Sequence, residues 1–191
     1  MHNIAIFVSG SGTNCENIIQ YFSHRDDVNV ALVVSNRPDA YALVRAERHH
    51  VPHTVMGKAD FNDEQKMTTL LHQYHIDFIV LAGFLLMVPD FLLRSYERRM
   101  VNIHPSLLPK YGGRGMYGHH VHEAVKAAGD VETGMTVHWV SEVCDGGEII
   151  AQFRTPISPD DTPDDIAAKE HELEQRHFPE TIDKILKGEL G

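Results

Sequence analysis

The feature of the sequence that most constrains the fold is the alternation of short apolar runs with helical patterns in the first half of the chain. Residues 4–8, 30–34 and 78–82 form continuous apolar runs, and amphipathic segments separate them. Parallel strands that are covered on both faces by crossover helices have this pattern. The sequence therefore predicts an α/β fold built on a parallel sheet.

The segments between these runs predict helices. A helix after the first strand would bury Ile18, Ile19 and Phe22, which are spaced by about one helical turn. Asn62 followed by Gln65 resembles a capping box, which would open a helix that runs to about residue 75. The other elements expected in this half are a helix over residues 40–50 and strands at 54–56 and 100–103.

The second half of the chain adds strands of a different kind. A Gly-rich stretch and a helix at 121–128 come before two strand-like runs at 133–140 and 148–157, and Trp139 is expected in the core. The Asp145-Gly146-Gly147 turn between these runs is too short for a crossover, so the two strands should be antiparallel. The predicted sheet is therefore mixed.

The C-terminal helix has a clear start. Thr162 supplies an N-cap, Pro163 stands at the first helical position and Asp165 is an acidic residue in the first turn. The helix should run to about residue 187, with a bend before Pro179. A chain of 191 residues with no repeat or linker fits a single domain.

The composition argues against several classes of protein. The formal charge of -10 disfavours a nucleic-acid partner, because binding to a phosphate backbone needs clustered Lys and Arg. No segment approaches the roughly 20 apolar residues that a membrane helix needs. The N-terminus lacks a secretory signal pattern, so a cytoplasmic location is expected. Cys15 and Cys144 are too few for a disulfide framework, and the 14 histidines include no HExxH motif, so no metal site is predicted.

The turn after the first strand is a candidate phosphate site. Gly10, Gly12, Thr13 and Asn14 are placed where a glycine-rich loop and a helix N-terminus can point backbone N–H groups at an anion. The spacing matches neither GxxxxGK[ST] nor a full GxGxxG, which disfavours a nucleotide triphosphatase. A phosphomonoester fits such a loop best. The alternative is an ordinary tight turn between a strand and a helix.

A second constellation carries candidate catalytic groups. Asn102 and His104 are two residues apart at the end of a predicted strand, so their side chains point to the same side. An amide and an imidazole that converge on one carbonyl could stabilise a developing oxyanion, and Asp145 could favour the protonated imidazole and relay protons. Each residue also has a structural reading: Asn102 could cap the turn at Pro105, His104 could be a buried core histidine, and Asp145 could belong to an ordinary hairpin turn.

Four segments together resemble a known family. They are N-I-H-P-S-L-L-P at 102–109, D-G-G at 145–147, S-G-S-G-T-N at 9–14 and L-A-G-F at 81–84. This set is similar to the motifs of the folate-dependent formyltransferases, and among them to the members that act on glycinamide ribonucleotide in purine biosynthesis. The resemblance implies a Rossmann-like formyltransferase fold with helices on both faces of a mostly parallel mixed sheet. It implies one domain over 1–191, with an N-terminal phosphate-binding part and a C-terminal part that binds folate and is catalytic.

The resemblance also assigns roles to residues. Asn102 and His104 would polarise the formyl oxygen of 10-formyltetrahydrofolate, and Asp145 would assist His104 and the proton transfer. The residues implied for the phosphate and for the glycinamide amine are Gly12, Thr13 and Asn14, and Glu174. The residues implied for the folate are Phe84, Leu85, Leu86, Met87, Val88, Val140 and Val143. The implied partners are these two small molecules alone, without a metal, and the chain would be a monomer or a homodimer.

Two departures from the family pattern concern the substrates. Leu85, Leu86 and Met87 are all apolar where the family often has an arginine. The segment at 113–118 is longer than in many relatives, so the substrate-side histidine could be His119, His120 or His122.

Three other functions compete with this reading. A formyl-tetrahydrofolate hydrolase would normally carry an additional N-terminal domain, whereas the first strand here is expected to begin at about Ile4. A methionyl-tRNA formyltransferase would need an RNA-binding domain and more positive charge. A nucleotide-binding module without turnover would not need all three candidate catalytic residues.

Overall fold

The structure is a computed structural model that describes residues 1–191. Its strands and helices confirm the predicted α/β class. The elements in chain order are β1 (His2–Val8), α1 (Thr13–Phe22), β2 (Val28–Ser35), α2 (Tyr41–Arg48), β3 (His53–Val55), α3 (Lys58–Phe61), α4 (Glu64–Gln73), β4 (Phe78–Leu81), α5 (Asp90–Ser95), β5 (Met100–His104), α6 (His119–Ala128), β6 (Glu132–Trp139), β7 (Ile149–Pro156) and α7 (Pro163–Leu186). The chain divides into two compact units, Met1–Val101 and Asn102–Gly191.

The first unit is built on parallel strands in the order β3-β2-β1-β4. The last five residues of β1 are completely buried, as expected for a strand with neighbours on both edges and helices over its faces. Helix α1 buries Ile18, Ile19 and Phe22, which confirms the predicted face. The predicted parallel pattern of this half is therefore confirmed.

The predicted capping box at Asn62 and Gln65 is wrong. Asn62 has a helical backbone that ends the short helix α3, and its side-chain amide donates to the carbonyl of Lys58 at 2.7 Å. The N-cap of α4 is Asp63, which is extended and accepts a hydrogen bond from the Lys66 N–H at 3.0 Å. An N-cap residue must leave the helical region, and Asn62 cannot do so while it closes α3.

Helix α5 was not predicted from the sequence. It has six residues, begins after the extended Pro89 and buries Phe91 and Leu92. So short a helix contains fewer than two helical turns, and an apolar periodicity cannot be recognised over that length.

The second unit has the strand order β5-β6-β7, and β6 and β7 are antiparallel as predicted. A Cβ on Gly134 would lie 2.1 Å from the carbonyl oxygen of Phe153, so glycine is what allows β7 to approach β6 here. Trp139 is buried, as expected. Helix α7 continues through Pro179, and the predicted bend there stays a prediction.

The predicted start of α7 is confirmed. The Thr162 hydroxyl accepts from the Asp165 N–H at 3.2 Å, and the Asp165 carboxylate accepts from the Thr162 N–H at 2.8 Å. These two bonds form a reciprocal capping box, and Pro163 follows directly. None of the helices combines the length and apolar character that crossing a membrane requires.

We expect Thr162→Ala to lower the free energy of unfolding by about 1 kcal/mol, because it removes the hydroxyl that accepts the Asp165 N–H in the first turn of α7. Urea unfolding followed by circular dichroism measures this change. Thr69→Ala, at an exposed position inside α4, is the matched control and should change stability little. Equal effects of the two substitutions would contradict the capping argument.

Candidate active site

Asn102 and His104 lie at the end of β5, and a network of polar groups in the second unit surrounds them. Asn102 is partly accessible, whereas His104 is only 4% exposed. The His104 Nε2 lies 2.7 Å from the carbonyl oxygen of Tyr111. Because a carbonyl can only accept, this nitrogen carries a proton and donates it. The other ring nitrogen, Nδ1, lies 3.4 Å from the Oδ2 of Asp145.

Asp145 is held in the loop between β6 and β7. Its φ of 54° lies in the left-handed region, which Asp adopts more readily than most residues. Its Oδ2 accepts a hydrogen bond from the Gly113 N–H at 2.9 Å. A Cβ on Gly147 would lie 1.7 Å from the carbonyl oxygen of Trp139, so the loop can close only with glycine there. The structure thus brings Asp145 to His104 from more than forty positions along the chain.

Cys144 contributes a further donor to this carboxylate. Its Sγ lies 3.7 Å from the Oδ2 of Asp145. Burial, together with the adjacent Asp145 charge, raises the pKa of the Cys144 thiol. The sulfur therefore remains protonated and can donate to the carboxylate.

His138 on β6 is a site residue that sequence reasoning missed. Its Nδ1 donates to the carbonyl of Trp139 at 2.9 Å, which fixes the tautomer of the neutral ring. Its Nε2 then accepts from the Nδ2 of Asn102 at 3.1 Å and lies 3.8 Å from the Oδ1 of Asp145. Burial lowers the pKa of His138, which keeps the imidazole neutral. Asn102 and His138 thus form a hydrogen-bonded pair that lies beside the pair of Asp145 and His104.

The same face of β6 also supports the segment that follows His104. Thr136 stands two residues before His138, so the two side chains point to one face. The Thr136 hydroxyl donates to the Ser106 carbonyl at 2.7 Å and accepts from the Leu108 N–H at 3.1 Å. The alternation of Thr136 and His138 along a predicted strand is the signal that could have identified His138.

Glu174 lies on α7 in a cluster of titratable side chains. It is 8% exposed, and its Oε2 lies 3.1 Å from the Nδ1 of His171. Glu170, one helical turn earlier, is 3% exposed, and burial next to Glu174 raises its pKa. That carboxyl therefore favours the protonated form, and nothing in the sequence motifs identified it.

One of the three candidate substrate-side histidines is distinguished by burial. His122 is 5% exposed, whereas the side chains of His119 and His120 are 50% and 64% exposed. Burial lowers the pKa of His122, and the Glu174 charge opposes this shift. His122 is thus the buried one of the three histidines and is influenced by Glu174.

The anion loop, residues 9–14, belongs to the first unit. Gly12 has a φ of 76° and is the N-cap of α1, with no side chain that caps the helix. The N–H groups at a helix N-terminus and the helix dipole favour an anion at this position. The geometry therefore fits the predicted anion site at Gly12, Thr13 and Asn14.

The segment implied for the folate has two kinds of side chain. Phe84 packs against Phe61 at a ring distance of 4.9 Å and is partly exposed, whereas Val88 is buried. Leu85 and Met87 are 50% and 45% exposed. Leu86 is partly exposed, as is Val140 in the second unit, and Val143 is 64% exposed there. Exposed apolar side chains of this kind suit an aromatic ligand.

The histidines do not assemble a metal centre. No group of three or more His, Cys, Asp or Glu side chains is placed to hold a metal ion. The polar groups above bind one another and backbone atoms, which suits acid–base chemistry.

Comparison with known proteins gives consistent matches over the whole chain. The family model described as formyl transferase matches residues 2–182. A phosphoribosylglycinamide formyltransferase of Haemophilus influenzae is 38% identical, covering 100% of this chain and 90% of the relative. A phosphoribosylglycinamide formyltransferase of Bacillus subtilis is 35% identical, covering 97% of this chain and 95% of the relative. The crystal structure of the protein of that name from Bacillus halodurans is 37% identical, with a TM-score of 0.86 and coverage of 96% and 95%. The chain therefore belongs to the formyl transferase family.

Proposed function

We propose that this protein transfers the formyl group of 10-formyltetrahydrofolate to the amine of glycinamide ribonucleotide. The observation that carries the proposal is the cluster of Asn102, His138, Asp145 and His104, which brings an amide, a carboxylate and two imidazoles together. The full-length relatives that bear the name of this activity support the choice of substrates. We also propose that the 191 residues act as one domain.

His104 and Asn102 would polarise the formyl oxygen. When the amine attacks the formyl carbon, negative charge develops on that oxygen, and donors aimed at it in advance lower the barrier. The Nε2–H of His104 is committed to the Tyr111 carbonyl at 2.7 Å, while Nδ1 has only the looser 3.4 Å contact with Asp145. We therefore assign the donor role to Nδ1 of the doubly protonated ring, in which the Nε2–H continues to hold the ring in place.

Asp145 would manage the proton that the amine loses. Its carboxylate faces Nδ1 of His104 and is held by the Gly113 N–H, so it can accept a proton without moving. A proton taken from the attacking amine could return to the leaving nitrogen through this pair. The transfer needs no covalent intermediate with the protein.

His138 would orient Asn102. Its unprotonated Nε2 accepts one N–H of the Asn102 amide, which fixes the plane of that amide and the direction of its second N–H. His138 thus acts through Asn102 as a positioning residue.

The remaining residues would bind the two substrates. The anion loop at Gly12, Thr13 and Asn14 would take the phosphate of glycinamide ribonucleotide, and Glu174 would take its amine end. The folate would bind along the segment Phe84, Leu85, Leu86, Met87 and Val88 and near Val140 and Val143. Within that segment the exposed side chains of Leu85 and Met87 would contact the ligand, whereas Val88 is buried. The bound folate supplies the activated formyl group, and the protein supplies orientation and the donors described above.

The decisive experiment mixes the protein with 10-formyltetrahydrofolate and follows folate absorbance with and without glycinamide ribonucleotide. Deformylation that depends on the acceptor supports the transferase. Loss of formyl-folate without the acceptor would instead identify a hydrolase. No change in either mixture would leave a binding module and overturn the proposal.

We expect His104→Ala and Asn102→Ala each to lower kcat by about two orders of magnitude or more, because each removes a donor to the developing oxyanion. Thermal melting should show that both variants remain folded. His24→Ala, at an exposed position in the first unit, is the control and should leave kcat unchanged. Near-normal turnover in either variant would exclude the assigned role.

We expect activity to be lost on the acid side as the pH falls through the lowered pKa of His138. Protonation would turn Nε2 into a donor that faces the Asn102 amide N–H, and the orientation of Asn102 would be lost. His138→Gln offers a neutral acceptor, so the acid limb of its kcat profile should move to lower pH. A profile identical to that of the wild type would contradict this role, and His24→Gln is the control.

We expect Gly12→Val to raise KM for glycinamide ribonucleotide and to leave KM for the folate unchanged. The backbone φ of 76° disfavours a side chain, and a Cβ would lie 2.4 Å from the Cβ of Ala42. The loop must therefore shift as a whole. Gly57→Ala, where a Cβ meets nothing within 4 Å, is the control, and equal KM values for both variants would contradict the prediction.

A further inference from the structure

Helix α2 packs directly behind the anion loop. The Ala42 N–H donates to the Gly10 carbonyl at 3.2 Å. A Cβ on Gly12 would meet Ala42, so the loop and the first turn of α2 are in close contact. The side of the loop that faces α2 is therefore occupied by protein.

Arg45, one turn further along α2, bonds both the anion loop and the first turn of α1. Its Nε donates to the Ser11 carbonyl at 2.9 Å. Its Nη1 bonds the carboxylate of Glu16, in the first turn of α1. The side chains of Arg45 and Glu16 are each 21% exposed, and His49 lies 3.0 Å from the other Glu16 oxygen. The cluster is therefore partly buried.

The two bonds from α2 determine where the neighbouring N–H groups point. In a trans peptide the carbonyl and the following N–H lie in one plane and point in opposite directions. Because Ala42 holds the Gly10 carbonyl, the Ser11 N–H points away from α2. Because Arg45 holds the Ser11 carbonyl, the Gly12 N–H also points away from α2. Two successive N–H groups directed to one side form the kind of concavity that binds an anion.

We propose that Arg45 is a positioning residue for the substrate phosphate: by holding the Ser11 carbonyl against α2, it turns the Gly12 N–H toward the anion. The inference rests on the proposed function, because it presumes that the anion is the phosphate of glycinamide ribonucleotide. Glu16 neutralises much of the guanidinium charge, so Arg45 acts by geometry more than by direct attraction. A planar guanidinium can hold a carbonyl and a carboxylate at a fixed angle, and a lysine ammonium cannot.

The test compares kinetic constants of Arg45→Gln and Arg45→Lys with those of the wild type. We expect both to raise KM for glycinamide ribonucleotide by about tenfold or more, because a charge-assisted hydrogen bond is lost. We expect kcat and KM for the folate to stay within about twofold, because the catalytic groups are untouched. Glu16→Gln should have an intermediate effect on the same constant, since it weakens the hold on Arg45 but leaves the bond to Ser11.

Arg48→Gln is the matched control. Its guanidinium also lies over the Tyr41 ring, at 5.5 Å against 5.0 Å for Arg45, and it is exposed on the same helix. It should leave all three constants unchanged. Thermal melting of every variant measures any loss of stability.

Three outcomes would overturn the inference. Arg45→Lys could behave as the wild type, which would show that the charge alone matters. Arg45→Gln could lower kcat and stability without a selective effect on KM for glycinamide ribonucleotide, which would show a purely structural role. Arg45→Gln could also leave every constant unchanged. Failure of the proposed function is distinguishable from all three, because the wild-type protein would then transfer no formyl group.

Discussion

The candidate site depends on one carboxylate oxygen, the Oδ2 of Asp145. It accepts the Gly113 N–H at 2.9 Å and faces Nδ1 of His104 at 3.4 Å, so one atom joins the loop after β6, the Gly-rich segment and the end of β5. The loop lies more than thirty positions beyond the other two segments, and Asp145 and Gly113 both have a positive φ. The left-handed backbone of Asp145 and the absence of a Cβ on Gly147 are the local conditions for this convergence.

Backbone groups fix the side chains of the site. The Tyr111 carbonyl holds Nε2 of His104, and the Trp139 carbonyl holds Nδ1 of His138. A backbone carbonyl can only accept, so each contact places a proton on one named nitrogen and leaves the other nitrogen for the site. The two imidazoles consequently differ in role: His138 accepts from Asn102, and His104 presents its second nitrogen to Asp145. The two histidines thus differ in role because a backbone carbonyl bonds Nε2 in His104 but Nδ1 in His138.

The sequence predicted the elements that depend on local patterns. The apolar runs of the parallel strands, the buried face of α1 and the capping box at Thr162 are set by residues close together in the chain, and all were confirmed. The prediction at Asn62 was wrong because Asn62 and Asp63 are both residues that can cap a helix. Asn62 ends α3, so Asp63 is the residue that caps α4. His138 and Arg45 were missed because their importance comes from partners more than thirty positions away, which spacing along the chain does not encode.

The anion loop and the cluster of Asn102, His138, Asp145 and His104 are built on the same physical principle. In both, a polar side chain bonds one end of a peptide or amide group. The N–H at the other end of that group is thereby directed toward the expected position of the ligand. Arg45 holds the Ser11 carbonyl, and His138 holds one N–H of Asn102. Donors oriented in this way need no rearrangement when charge arrives or develops, and the energy of ordering them is supplied by folding. Substitutions of Arg45 and His138 should therefore change substrate binding and turnover, even though neither side chain is expected to touch a substrate.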